Sequence, residues 1–192
     1  MLFAHDTEVA LVAAAALVNT AGRRPADVDE FAGVDGRSGL DRFLAAYPYT
    51  GVVAGDQAEL RAVRLLRGRL AQVWDAARGD DLPGAVAIVN DLLSGAHALP
   101  YLTRHDEWDW HLHVTSPDAP LAHRIGAEAA MGFVDLIRAD DLGRLRHCSA
   151  EDCDAVLIDL SRNSSKRYCD TGNCGNRAAV AAYRARKATA AD

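Results

Sequence analysis

The chain of 192 residues has no cysteine before Cys148, so thiolate chemistry is confined to its last quarter. It also lacks a long apolar run. The most apolar early stretch, Val9 to Val18, is ten residues of mostly alanine, too short and too weak to span a bilayer. Nor do the first ten residues place a basic cluster ahead of an apolar segment. They hold His5, Asp6 and Glu8, which is not the pattern of a secretion signal, and a cytoplasmic protein without membrane insertion is expected. HExxH, GxSxG and phosphate-loop motifs are missing as well. No catalytic residue is therefore assigned, and the chain does not read as an enzyme.

What is present is 49% hydrophobic residues, enough to bury a core in one medium domain or two small ones. The net charge of −6 is unevenly spread. Residues 161–187 hold seven Lys or Arg and one Asp, a balance of +6, and Asp192 adds −1, which leaves −11 on residues 1–160. The second region suits a polyanion as partner, and the first does not.

The stretch "DTEVALVAAAALVNTAG" predicts a buried helix with an acidic first turn, ending near Asn19 and Gly22. Asn19 reads either as a left-handed helix cap or as an effector contact. Residues 22–39 carry five Gly or Pro and read as a connection with a short turn or strand. Leu40, Phe43, Leu44 and Tyr47 predict a short helix stopped by Pro48. A longer helix with Asp56 as N-cap places Leu60, Val63, Leu66, Leu70, Val73, Trp74 and Ala77 on one face. Arg61, Arg64, Arg67 and Arg69 are then taken as solvated charge rather than a phosphate grip. Helix is expected again over 84–94 and 120–139. Between them, 101–103 and 107–115 read as a strand pair. There Trp108, Trp110, Leu112 and Val114 alternate with Asp109, His111 and His113, which predicts a buried tryptophan-bearing face.

Cys148, Cys153, Cys169 and Cys174 form C-x4-C, fifteen residues, C-x4-C. Paired doublets supply the four thiolates of a tetrahedral Zn²⁺ site, with an iron–sulfur cluster or a redox pair as alternatives. Four thiolates leave no open position, so one zinc here is structural. Val156 to Leu160 reads as a strand, "SRNSS" as a turn and Lys166 to Tyr168 as the returning strand. The second doublet opens the terminal helix, and Gly175 lets the backbone turn beside the metal. Knuckle, hairpin and helix in that order make a treble clef.

The segment "RLRHCSAEDCDAVLIDLSRNSSKRYCDTGNCGNRAAVAAYRARK", residues 144–187, resembles the CGNR-type zinc finger, named for Cys174, Gly175, Asn176 and Arg177. Its "DxSRN", "RYC" and "YRAR" elements are all present. Lys166 departs from the pattern where a second arginine often stands beside Arg167, keeping the charge but losing the planar fork. The rest, with "LVNT" at Leu17 to Thr20, resembles the ABATE domain that accompanies this finger in bacterial proteins described as stress-responsive transcription regulators. The resemblance implies an α+β chain: a mainly helical N-terminal domain with a small β-sheet over 1–143, followed by a treble-clef-like zinc finger over 144–192. It also implies DNA binding; a small-molecule effector at the first domain is a further candidate partner, which the sequence does not identify.

Arg184 lies about 20° from Arg177 on a helical wheel and Lys187 about 80°. With Arg162, Lys166 and Arg167 they form a candidate phosphate-contacting patch, and Asn176 and Arg177 are candidates for base edges. Val180 and Tyr183 are expected to pack onto the finger. Asn176 and Arg177 read equally as braces, the guanidinium pairing with Asp159 or Asp170. Two other functions compete. One is a zinc-stapled protein-interaction module without nucleic-acid affinity. The other is a metal-dependent hydrolase using His111 and His113 with His97, His105, His123 or Asp109, although alternate histidines on a strand are commonly hydrogen-bonded surface residues. A homodimer on two half-sites is compatible with the DNA reading.

Overall fold

The computed structural model describes residues 3–33, 36–104 and 109–189. Helix α1 (His5–Asn19) has Asp6 and Glu8 in its first turn, where carboxylates complement exposed amides. Its Leu11, Ala14, Leu17 and Val18 are fully buried. Helix α2 (Gly36–Ala46) begins inside the segment that reads as a connection. Its first turn lies against the preceding loop: a Cβ on Gly36 would stand 2.3 Å from the Phe31 carbonyl oxygen, and one on Gly39 2.1 Å from that of Glu30. Two glycines that look like loop markers are what lets a helix pass so close to backbone.

Helix α3 (Gln57–Arg78) is capped by Asp56, which accepts the Glu59 amide at 2.8 Å, as its position predicts. Asp81 does the same for α4 (Leu82–Gly95), accepting from the Gly84 amide at 2.9 Å. Strands β1 (Tyr101–Thr103) and β2 (His111–His113) pair antiparallel, with Leu102 opposite Leu112. After α5 (Leu121–Arg138), a 3₁₀ turn at Leu142–Arg144 leads into β3 (Leu145–His147), which pairs antiparallel with β4 (Val156–Ile158). Helix α6 (Cys174–Thr189) ends the described chain.

Helix α5 packs on α1, α3 and α4, and α1 also lies on α3 and β4. Trp74 and Phe133 meet edge to face in the centre, with ring centroids 5.4 Å apart. Leu145, Val156 and Ile158 from the second hairpin enter the same core, and Trp74 Nε1–H donates to the Leu157 carbonyl at 2.9 Å. The architecture is α+β, a helical body with small two-stranded sheets followed by a cysteine-bearing finger.

Four local expectations are corrected. Arg67 is buried rather than solvated: its fork donates to both oxygens of Asp29 at 2.8 and 2.7 Å and lies over the Phe31 ring. A bidentate carboxylate partner is what allows a guanidinium to leave water. The alternating face of β2 is also reversed. Trp110 is 64% exposed and Leu112 37%, whereas His111 and His113 are half-buried and only Val114 is buried as expected. Alternation specifies which residues share a face but not which face is covered, and within β2 the histidines are the more covered side. Glu107, Trp108 and His105 lie outside the described residues. Asn19 is not a left-handed cap, since it remains helical and Thr20 ends the helix in right-handed geometry. The returning strand expected at Lys166 to Tyr168 is irregular chain, and β4 pairs instead with β3 across the first cysteine doublet.

Candidate metal centre

Cys148 directly follows β3. Its amide donates to the Ala155 carbonyl at 2.7 Å and that of Cys153 to Ala150 at 3.1 Å, so the first doublet is the tight tip of the β3–β4 hairpin. Cys169 arrives from a loop, and Cys174 is the first residue of α6. All four are buried, and their Sγ atoms lie within 4.8 Å of one another. The Sγ separations of 3.8 Å for Cys153 and Cys169 and 3.7 Å for Cys169 and Cys174 are far longer than a disulfide bond. They match the edges of about 3.8 Å of a tetrahedron with Zn–S bonds of about 2.3 Å.

The surroundings fit the same ion. A Cβ on Gly172 would stand 2.9 Å from Cys174 Sγ, so this position is kept bare by the cluster. The Cys169 amide points at Cys148 Sγ at 3.5 Å. Burial pushes the Cys148 and Cys153 thiols up. At Cys169 burial acts the same way, but bonds from Thr171, the Gly172 amide and neighbouring thiols outweigh it and bring the group down to about 7. Four thiolates this close repel one another unless a cation sits among them, so metal uptake releases protons. Zinc bound by all four is structural and staples the hairpin tip to the start of α6.

Residues 144–187 match the family model of the CGNR zinc finger. Residues 11–140 match the family described as "Putative stress-induced transcription regulator", ABATE. The chain belongs to the ABATE family. No curated protein matches it. Neither matched family is an enzyme family by description. The ABATE body and the CGNR finger meet in sequence between residues 140 and 144.

Arg177 of the CGNR tetrapeptide is joined to the metal knuckle. Its fork donates to both oxygens of Asp152 at 2.7 and 2.9 Å and to Cys174 Sγ at 3.2 Å. The hydrogen bond from Arg177 holds the Asp152 carboxyl below its ordinary range. The brace partner is therefore neither Asp159 nor Asp170. Asp159 is fully buried and accepts from Ser161, from the Lys166 amide at 2.9 Å and from Arg146 at 2.8 Å, which fixes the "SRN" turn. Asn176 donates to the Asn173 side chain at 2.6 Å. Asn173 carries the positive φ of 52° just before α6, a conformation asparagine tolerates. Gly175 lies within the helix, where a Cβ would meet Tyr168 at an ordinary 3.6 Å. The tight approach expected of it belongs to Gly172.

Lys166 pairs with Asp170 at 2.6 Å and Arg167 lies over the Tyr168 ring. Arg162, Arg184 and Lys187 are exposed, and none of the three enters an ion pair among the described residues. Beyond its first turn α6 is exposed on every side. Val180 and Tyr183 are 47% and 60% exposed, so they do not pack onto the finger. Among the described residues the cysteines are the one group of three or more ligands close enough to share an ion. His111 and His113 approach to 3.1 Å between Nε2 atoms, but His97, His123 and Asp109 do not complete a site with them.

Three residues of the ABATE body that sequence reasoning missed hold the finger. Asn19 bonds both the amide and the carbonyl of Val156, each at 2.9 Å, taking the place of a strand on the free edge of β4. The Arg23 carbonyl accepts the Asp154 amide at 2.8 Å, and Arg24 donates to Gly172 at 3.2 Å. The "LVNT" element contains Asn19, and that was the available signal. Nothing in "GRRP" marked a contact more than a hundred residues away.

Proposed function

We propose that this protein is a cytoplasmic transcription regulator that binds duplex DNA through the CGNR finger, residues 144–192, while residues 1–143 sense an effector. The observation that carries the reading is α6: a helix started by the metal knuckle and exposed on all sides beyond its first turn, in a segment of charge +6 attached to a body of −11. A charged helix projecting from a stapled base is the shape that enters a groove. Arg162, Lys166, Arg167, Arg184 and Lys187 are assigned to phosphates. Asn176 sits at the helix start, where base edges are within reach, and Arg177 both braces the knuckle and leaves part of its fork exposed.

With five phosphate contacts per finger, log K should fall against log[salt] with a slope of about −4 to −5, doubled for a dimer on two half-sites. Fluorescence anisotropy of the zinc-loaded protein on a random duplex library at several salt concentrations tests this. A folded protein with no affinity at low salt overturns it. The exposure of Val180 and Tyr183 favours a second reading, a protein-interaction helix, which that result would support.

A further inference from the structure

The ABATE body contains a cavity of about 390 Å³ between α1, the chain after α2, β2 and α5, within the size range of small-molecule sites. Ala10, Ala13, Val114 and Met131 form its apolar wall. Its polar groups include Asp6, Glu128 and Asp135, the half-buried His111 and His113, and Tyr49, and among the described residues no Lys or Arg lines it. Two of the carboxylates are partly committed, Asp6 to the Leu112 amide at 3.0 Å and Asp135 to the Thr7 hydroxyl at 2.7 Å. Glu128 makes no hydrogen bond or ion pair among the described residues. Arg124, one turn before it, is held by the carbonyls of Ala119, Thr50 and Val52.

We infer that this cavity binds a small amphiphilic amine, with the ammonium group against Glu128 and Asp6 and an apolar body between Ala13 and Met131. An unpaired carboxyl in an apolar pocket is costly to ionise. A ligand ammonium supplies the missing counter-charge and a charge-assisted hydrogen bond. A carboxylate ligand would meet three acids and, among the described residues, no Lys or Arg. This inference deepens the sensing part of the function proposed above, and rests on it only for the effect on DNA. The route to the finger is α1: its first half lines the cavity, and its last residue, Asn19, grips Val156. An occupant that shifts α1 therefore displaces the strand that leads out of the metal knuckle.

The test uses the full zinc-loaded chain and three probes of one shape: tryptamine, the neutral tryptophol and the anionic indoleacetate. By isothermal titration calorimetry, tryptamine should bind saturably and about tenfold or more tighter than tryptophol, the scale of one charge-assisted bond, with indoleacetate the weakest. Glu128→Gln should retain tryptophol binding and lose most of the preference for the amine, its fold checked by circular dichroism. Ala10→Phe, which fills the cavity, should remove binding of both probes. The inference is overturned by absent tryptamine binding, by equal binding of the alcohol, or by an amine preference that survives either variant. Anisotropy on labelled duplex with and without tryptamine then reads transmission: a shift in affinity is expected, and unchanged affinity overturns the α1 route. Failure to bind DNA at all counts against the proposed function, whereas the calorimetric result for the cavity stands independently of it.

Discussion

Arg177 and Arg184 lie seven residues apart on α6, yet their surroundings differ. Arg177 is bonded to Asp152 and to the sulfur of Cys174, so Arg177→Ala should weaken zinc by about tenfold or more, as loss of an outer partner of a ligand does. Competition with a chromogenic chelator measures it. Arg184→Ala should leave zinc affinity unchanged and reduce the salt slope of DNA binding by about 1. At Glu128, burial is the chief cause that pushes the carboxyl up to about 7 from 4.5, with Asp6 adding to the shift and Arg124 opposing it. The folded state thus holds this proton more tightly than the unfolded chain. Stability that is complete below about pH 4 is lost as pH rises through 7, on the order of 2 to 3 kcal/mol. Glu128→Gln should therefore match the wild type in thermal unfolding near pH 4 and exceed it near pH 8; an unchanged difference across that range contradicts the assignment.

At the scale of elements, α1 and β4 depend on one side chain. Asn19→Ala leaves the outward amide and carbonyl of Val156 without partners, at a cost of about 2 kcal/mol, read from the urea midpoint at constant slope. Asn19→Asp keeps the acceptor alone and should fall between. The element α1 was legible in the sequence, as were α3 and α5, because their burial period and caps such as Asp56 are local. What Asn19 does was not legible, since its partner is 137 residues away. Arg67 escaped for the same reason: a helical wheel placed it off the main apolar face, but Asp29 draws it inside. The cysteine spacing revealed the metal site and the helix that follows Cys174. It could not show that the first doublet forms the tip of a hairpin, because the chain that had looked like a return strand gives its Lys166 amide to the Asp159 carboxylate instead of to β4. In β2, the period was readable and the choice of covered face was not.

For the whole molecule, the division into ABATE body and CGNR finger is one of sequence family more than of packing, since Leu145, Val156 and Ile158 share a core with α1 and α3. Removing zinc with a chelator should leave the helical circular-dichroism signal of the body in place while its melting temperature falls by several degrees, as the hairpin loosens from that core. An unchanged melting temperature would mean the hairpin stands without its staple. The solvent surrounding α6 has a different consequence. A sixteen-residue helix that is solvent-exposed beyond its first turn is marginal in water, so its backbone amides should exchange with deuterium quickly in the free protein and slowly in a complex. Association then includes an ordering entropy and a heat-capacity change larger than the rigid surfaces account for. Intrinsic helix propensity thereby becomes a determinant of affinity: Ala182→Gly, which removes only a methyl group, should weaken binding by up to about 1 kcal/mol.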